Sequence, residues 1–219
     1  MLGFGATLIV VPFLASIYGP VEAVMAASLI EIPAVISLLP TAIREADWRV
    51  VTPLGLASLL TIPIGALLLV SLDPDLARQL IAVSVIVFAL MLASGWRYRR
   101  PPGLAMKLAV GAGSGLTSGL ANIGGPLVVM FLVASNTAAA SIRASIMAYF
   151  SISMAYRIAV YVVVGVYAMP FILVAAGLCV PYLAGIAIGT RLFAKVSEKL
   201  FLRLAIGLVL VAGLVALLK

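Results

Sequence analysis

A break in an otherwise apolar region is formed by the stretch Asn122-Ile123-Gly124-Gly125-Pro126, and the run that follows it is almost wholly aliphatic. A similar stretch, Gly3-Phe4-Gly5-Ala6-Thr7, lies at the start of the chain and also leads into an aliphatic run. In a lipid-embedded protein, irregular backbone is tolerated only where it is buried in protein or lines a wet cavity. Two such breaks at matching positions of two halves indicate the binding site of a secondary transporter.

The composition fits a membrane protein. Of the 219 residues, 65% are hydrophobic and 10% are charged, with a mean hydropathy of +1.30. A soluble domain is roughly half apolar and a quarter charged. Most long segments reach about 20 apolar residues, the length that spans a bilayer. They lack the residue-by-residue alternation of barrel strands, so we expect an all-α integral membrane protein.

Charges, prolines and glycines divide the chain into eight apolar segments. These are 1–18, 21–40, 50–71, 76–96, 104–136, 139–164, 167–190 and 199–218. The fifth is too long for one crossing and contains the second break. If it enters the membrane and returns as two half-helices, the strongly basic loops all fall on the cytoplasmic side. Arg78 and Lys219 then remain outside, so we expect the re-entrant arrangement.

The two halves resemble each other. Ala27-Ser28-Leu29 matches Ala144-Ser145-Ile146, and the stretch from Gly65 to Leu80 matches that from Gly189 to Leu204. Each half has one re-entrant unit and three crossings, an odd number, so the halves have opposite orientations. The predicted fold is a polytopic helical bundle of two inverted-topology repeats with glycine-broken re-entrant half-helices. Residues 1–97 form the first repeat, which lacks the entry limb, and residues 98–219 form the second.

Several function classes are disfavoured. The net charge of +7 comes mostly from short loops, as the positive-inside rule predicts, and it does not indicate nucleic-acid binding. Cys179 is the only cysteine and histidine is absent, so no disulfide, histidine triad or imidazole metal site is available. We expect no enzymatic activity, no cofactor and no metal. Without an ATPase motif, the energy for transport must come from gradients or from a partner.

The second break has the features of an anion site. A half-helix that starts after Gly125 leaves several N–H groups unpaired, with partial positive charge, and such an end binds anions. Pro126 suits the first helical position. The alternative is that these glycines only permit close helix packing. The candidate contacts are Asn122, Gly124, Gly125 and Pro126, with Gly5, Ala6 and Thr7 as the opposing half-site.

Ionisable residues within membrane spans are functional candidates. Glu31 lies in the second segment and Arg157 deep in the sixth. Arg143, at the entrance of the sixth, lies about 21 Å from Arg157 along one helix face. We interpret Arg157 as an anion contact, Arg143 as an entrance station and Glu31 as a proton-coupling group. The alternatives are a structural pair between Glu31 and Arg157, a protonated Glu31 bound to hydroxyls, or an Arg157 that snorkels to an interface.

Small and hydroxyl residues accompany these candidates. Gly111, Gly115 and Gly119 have the small-xxx-small spacing, which favours helix packing over ligand binding. Hydroxyl groups on the sixth segment would line a polar path or bond across helices. They belong to Ser145, Tyr149, Ser153 and Tyr156.

The chain resembles the TauE/SafE sulfite-exporter family of bacterial membrane permeases in both glycine breaks, in the region Ala27-Ser28-Leu29 and in the helices around Gly65 and Gly189. The resemblance covers essentially the whole chain. It implies a multi-pass protein of the bacterial cytoplasmic membrane that exports small sulfur oxyanions or organosulfonates, such as sulfite or sulfoacetate.

The sequence thus predicts a secondary carrier that works by alternating access, with a small anion and the lipid bilayer as its partners. Nucleic acid is not an expected partner, and a homo-oligomer is left open. Two other classes remain. One is a passive anion channel, and the other is a membrane assembly protein that transports nothing.

Overall fold

The computed structural model describes residues 4–33, 42–94, 103–133, 139–167, 169–193 and 198–218. Short turns join long helices within these ranges. The helices are α1 (Phe4–Tyr18), α2 (Pro20–Ile30), α3 (Trp48–Ser71), α4 (Pro74–Ala93), α5 (Leu104–Ala121), α6 (Gly125–Val133), α7 (Ala139–Val164), α8 (Met169–Phe193) and α9 (Glu198–Leu218). The predicted all-helical fold is therefore confirmed for the described part of the chain.

The predicted segments and the observed helices agree closely, with one difference. The fifth segment divides into α5 and α6 at the predicted break, and α7 coincides with 139–164. The second segment, 21–40, was predicted to continue as one helix, but α2 ends at Ile30. Glu31 lies in a turn, and Ile32 and Pro33 after it are helical again, so the segment is interrupted at Glu31, and Pro33 suits the first turn of a helix, where its missing N–H costs nothing. Residues 34–41 lie outside the described residues.

The distribution of apolar side chains is that of a membrane protein. Among the described residues, three helices are long and apolar enough to cross a membrane, namely Trp48–Ser71, Pro74–Ala93 and Ala140–Val164. Large apolar side chains such as Leu60, Val163 and Leu173 face outward, whereas Arg157, Asn122 and several hydroxyl side chains are buried. An exposed apolar surface around a polar interior suits a lipid environment. The protein is an integral membrane protein.

Glycines hold α3 and α5 in close contact. These glycines are Gly65 of α3 and Gly111, Gly115 and Gly119 of α5. A Cβ added to Gly119 would overlap the carbonyl oxygen of Ile62, and one added to Gly115 would overlap that of Ser58. The Thr61 hydroxyl also donates to the carbonyl of Ala112 at 2.8 Å. The interpretation of the α5 glycines as packing residues is therefore confirmed.

Several of the helix contacts occur in reciprocal pairs. The contact between α3 and α7 corresponds to the contact between α8 and α2. In the same way, α1–α2 corresponds to α6–α7, and α1–α9 corresponds to α6–α4. Exchanging α1–α4 with α6–α9 therefore reproduces these contacts, and it leaves the α4–α9 pair unchanged. The α3–α5 pair lies outside this exchange. Two repeats related by a twofold axis would produce this pattern, but the inverted repeats and their boundary at residue 97 stay predictions.

Three helix starts gather at one end of the bundle. The backbone N–H of Asp47 donates to the Ser145 hydroxyl at 2.9 Å, and the Lys107 ammonium donates to the carbonyl of Arg49 at 3.1 Å. The starts of α3, α5 and α7 therefore lie together. Arg78 lies at the start of α4, at the opposite end, and forms an ion pair with Asp75 at 3.1 Å. This placement agrees with the predicted separation of basic loops, although the cytoplasmic assignment of either end stays a prediction.

Candidate functional site

The chain reverses direction at the second break. Helix α5 ends at Ala121, and Asn122 takes a left-handed conformation, with φ 58° and ψ 28°. Asparagine is enriched in this region, which is costly for most other side chains. The Asn122 N–H donates to the carbonyl of Ser118 at 3.0 Å and closes the last turn of α5. The predicted break is thus a defined turn.

Helix α6 runs back along α5 after this turn. The Ser114 hydroxyl donates to the carbonyl of Gly124 at 2.8 Å, although Ser114 lies two turns before the end of α5. A Cβ on Gly113 would contact the side chain of Leu127 at 3.3 Å. A Cβ on Gly124 would overlap the backbone oxygen of Ser114, so the return requires glycine there. The predicted hairpin of two half-helices is confirmed, whereas its re-entrant position in a bilayer stays a prediction.

Glu31 is the centre of the candidate site. Its Oε2 atom accepts a hydrogen bond from the Asn122 amide at 3.1 Å and lies 3.6 Å from the Arg157 guanidinium. The Thr7 side chain also hydrogen-bonds this carboxyl group. The turn at the end of α2, the first turns of α1, the break and α7 therefore meet at one carboxylate. The structure brings together four residues that the sequence singled out separately.

These four residues are largely removed from the surface. Thr7, Asn122 and Arg157 are 3%, 6% and 5% exposed, and the Glu31 side chain is 15% exposed. Burying a charge is costly unless it is paired, and the Glu31–Arg157 pair meets that need. One alternative considered from the sequence was a pair between Glu31 and Arg157, and the structure confirms that these two residues are in contact. The Arg157 Nε, however, is buried without a hydrogen-bond partner.

Helix α7 presents a polar face to this site. The face consists of every fourth residue, namely Ser145, Tyr149, Ser153, Arg157 and Tyr161, and all five are buried. Residues four apart are neighbours on a helix surface. Of the hydroxyl residues predicted to line a path, Tyr156 is 37% exposed and lies off this face. The sequence analysis did not include Tyr161 among the candidate residues, although its position four residues after Arg157 places it on the same face of the helix.

The two tyrosines of this face support the end of α5. The Tyr149 hydroxyl donates to Ser114 Oγ at 2.9 Å. The Tyr161 hydroxyl lies 3.1 Å from the carbonyl oxygen of Ser118 and 2.7 Å from that of Gly119. Between them on α7 are Ser153 and Arg157, and each has a buried polar atom without a partner, Ser153 Oγ and Arg157 Nε. Most buried polar atoms are hydrogen-bonded, so these two indicate donors that are open to a ligand.

The remaining predicted site residues occupy two regions. Gly5 and Ala6 lie in the first turn of α1, next to Thr7, and Gly125 and Pro126 lie buried in the first turn of α6. Each helix start is therefore close in sequence to a residue that hydrogen-bonds the Glu31 carboxyl group, Thr7 for α1 and Asn122 for α6. Arg143 is exposed near the start of α7, four helical turns from Arg157. It lies apart from the site, at the end where the basic helix starts gather.

A helical membrane bundle in which a helix break and the start of another helix meet at a buried ionisable pair has the architecture of a membrane permease. The chain belongs to the family described as sulfite exporter TauE/SafE, whose family model matches residues 1–216. The resemblance seen in the sequence is thereby confirmed. No curated protein and no solved structure matches the chain.

Proposed function

We propose that this protein is a secondary transporter that exports small anions across the bacterial cytoplasmic membrane by alternating access. The expected substrates are sulfite, sulfoacetate and related organosulfonates, because the family is one of sulfite exporters. One observation supports the site most strongly. The Arg157 guanidinium is 5% exposed, lies beside a helix break and retains an unpartnered Nε.

The donors around Arg157 suit an oxyanion. An N–H of a guanidinium makes short, strong hydrogen bonds to anionic oxygen. The Asn122 amide approaches the same point from the break, and the first N–H groups of α6 follow at Gly124 and Gly125. The N-terminal N–H groups of a helix favour an anion. Gly5, Ala6 and Thr7 would complete the site from α1, and Arg143 would attract anions at the entrance.

Alternating access would use the reciprocal helix contacts. Repeats that rock against each other open a central site to one side and then to the other. The first turns of α1 and the break at Asn122 approach Glu31 from different halves of the chain. A relative movement of the halves would therefore open the site between them. Glu31 would couple this movement to a proton.

The two other classes make different predictions. A passive channel would pass anions without saturation and without counterflow. An assembly protein would use Glu31 and Arg157 only as a structural pair, and such pairs tolerate joint replacement by apolar residues of similar size. The open Arg157 Nε supports ligand binding, because it is a buried donor that the pair with Glu31 leaves unused.

The test is uptake of ³⁵S-labelled sulfite and sulfoacetate by proteoliposomes, with and without unlabelled anion inside. We expect saturable uptake that internal anion accelerates. Arg157→Ala should lower uptake at least roughly 10- to 100-fold, the effect of losing a charge-assisted contact of about 1.5–3 kcal/mol.

Two variants calibrate this result. The exposed Arg44→Ala variant should behave as wild type. Arg143→Ala should slow uptake a few-fold at low salt and have little effect at high salt, as expected of steering. Unchanged uptake by Arg157→Ala at equal protein abundance would refute the site. Folded wild-type protein that transports neither anion would refute the substrate class.

A further inference from the structure

We propose that the ionised Glu31 carboxylate is a tethered internal anion that occupies the position of the transported anion. Carboxylate and substrate would then alternate at one set of donors, and one proton would accompany each transported anion. This inference rests on the proposed anion-transport function and specifies how the same site is regulated.

The geometry around Glu31 is that of a bound oxyanion. A single carboxylate oxygen, Oε2, lies 3.1 Å from the Asn122 amide nitrogen and 3.6 Å from an Arg157 guanidinium nitrogen. The Thr7 side chain bonds the same carboxyl group. All three partners are groups that the sequence proposed for anion binding. The carboxylate thus receives the contacts that a substrate oxygen would need.

Because of the charge balance of the site, the ionised Glu31 carboxylate and the transported anion cannot occupy the site together. Facing Glu31 are Thr7 from α1, Asn122 from the break, Arg157 and Tyr161 from α7, and Tyr182 from α8. Tyr167, in the turn after α7, lies within electrostatic range of Arg157. Phenols and amides are neutral at physiological pH. Among these described groups, Arg157 therefore supplies the positive charge and ionised Glu31 balances it.

A second anion beside this pair would be unbalanced. Repulsion between two negative charges at contact distance is several times stronger in a protein interior than in water. Protonation removes the charge of Glu31 and turns the carboxyl group into a hydrogen-bond donor. Arg157 and Asn122 then become available to the substrate. The site accordingly binds an anion together with a proton, or binds neither and holds the internal ion pair.

Glu31 is placed where it can exchange a proton and move. It lies in the turn beyond the last residue of α2, and its side chain is 15% exposed, more than that of Arg157 at 6%. The proton would bind Glu31 on the side where the anion enters and leave with the anion on the other side. The empty carrier would return with the ion pair formed. A monovalent anion would thus move together with a proton and without net charge, and the direction of transport would follow the combined concentration gradients of the anion and the proton.

The experiment measures methanesulfonate binding to the purified full-length protein between pH 5.5 and 8. Methanesulfonate keeps its single charge over this range, so any pH dependence belongs to the protein. For wild type we expect the affinity to fall by up to roughly tenfold per pH unit once Glu31 ionises, the slope of a one-proton linkage. Glu31→Gln keeps the size and polarity of the side chain but cannot ionise. Its affinity should be independent of pH and should equal that of wild type at low pH.

Transport by the same variant sharpens the test. Glu31→Gln should retain counterflow in proteoliposomes but lose the uptake that a pH gradient drives in wild type. Glu22→Gln is the matched control, because Glu22 lies in the first turn of the same helix, and it should keep the wild-type pH profile. A second measurement uses no variant. Methanesulfonate binding to wild type in weak buffer should take up about one proton per anion.

The outcomes separate the two proposals. If Glu31→Gln keeps the wild-type pH slope, or if wild type takes up no proton on binding, the internal-anion inference is wrong while anion transport stands. If folded wild type neither binds nor transports any anion tested, the proposed function itself fails. Should Glu31→Gln aggregate, the proton-uptake measurement on wild type decides alone.

Discussion

The second break and the predicted first break, whose described residues form the start of helix α1, contact the same carboxylate but are held in different ways. At the second break, the Asn122 amide binds Glu31 while its backbone closes the last turn of α5. Gly124 lies against Ser114 on that helix. At the first break, α1 begins at Phe4, and Thr7 binds the Glu31 carboxyl group from the first turns.

The difference comes from helix α5. It gives the second break a neighbour, and the tyrosines of α7 bond to Ser114, Ser118 and Gly119 near the end of that neighbour. Helix α5 is itself fixed to α3 by close glycine packing. We infer that the second break sets the geometry of the anion site. The first break supplies a partner from the other half of the chain.

The largest expected effect comes from substituting Gly124. A methyl group there would overlap the Ser114 backbone oxygen and Ser118 Oγ, so Gly124→Ala should force α6 away from α5. Overpacking of this kind costs about 1–3 kcal/mol, and displacement of the break should abolish anion uptake. The measurement is thermal stability in detergent together with uptake by proteoliposomes. Gly113→Ala is the control, since its methyl group would meet only the end of the Leu127 side chain at 3.3 Å. Normal uptake by Gly124→Ala would contradict the close approach of α6 to α5.

A smaller effect should distinguish the two breaks directly. Asn122→Gly preserves the left-handed backbone and removes the amide donor, whereas Thr7→Val removes a hydroxyl without changing the size of the side chain. We expect the Kd for methanesulfonate to rise about tenfold or more in Asn122→Gly, which loses a hydrogen bond to a charged group. Thr7→Val should raise it a few-fold, because the first break supplies fewer of the contacts. Equal losses would show that both breaks contribute alike.

The sequence predicted the helices well because lipid restricts what a chain can do. An apolar run must be helical to satisfy its backbone, so 139–164 and the division at Asn122 followed from composition and glycine alone. The interruption at Glu31 was missed, since an apolar run on both sides of a single carboxylate gives no sign that the helix turns there. The structure places Glu31 in a turn, with Ile32 and Pro33 helical again after it.

The members of the site were more predictable than their contacts. Glu31 and Arg157 were identified because charge is rare within membrane spans. Their meeting with Asn122 depends on tertiary packing, as the Asn122–Glu31 bond joins residues 91 positions apart. Tyr161 was overlooked because a single tyrosine in an apolar segment is ordinary. Its role became visible only when its hydroxyl was found at the carbonyls of α5.

The smallest expected effect concerns Ser153, one turn before Arg157 on the polar face of α7. Its hydroxyl is 2% exposed and has no partner, so an anion held at Arg157 would give it one. Ser153→Ala should weaken methanesulfonate binding about 2- to 10-fold, the effect of one hydrogen bond of about 0.5–1.5 kcal/mol. Without anion, the same variant should be as stable as wild type or slightly more stable, because an unpaired buried hydroxyl is destabilising.

Ser151 is the matched control for this measurement. It lies two residues away on α7, and its hydroxyl already donates to the carbonyl of Met147 at 2.8 Å. Ser151→Ala should therefore leave the Kd unchanged. If the two variants bind alike, the Ser153 hydroxyl does not contact the anion, and the open donors of the site reduce to Arg157 and the second break. If only Ser153→Ala loses affinity, the polar face of α7 shares in recognition, and the anion lies between that face and the second break.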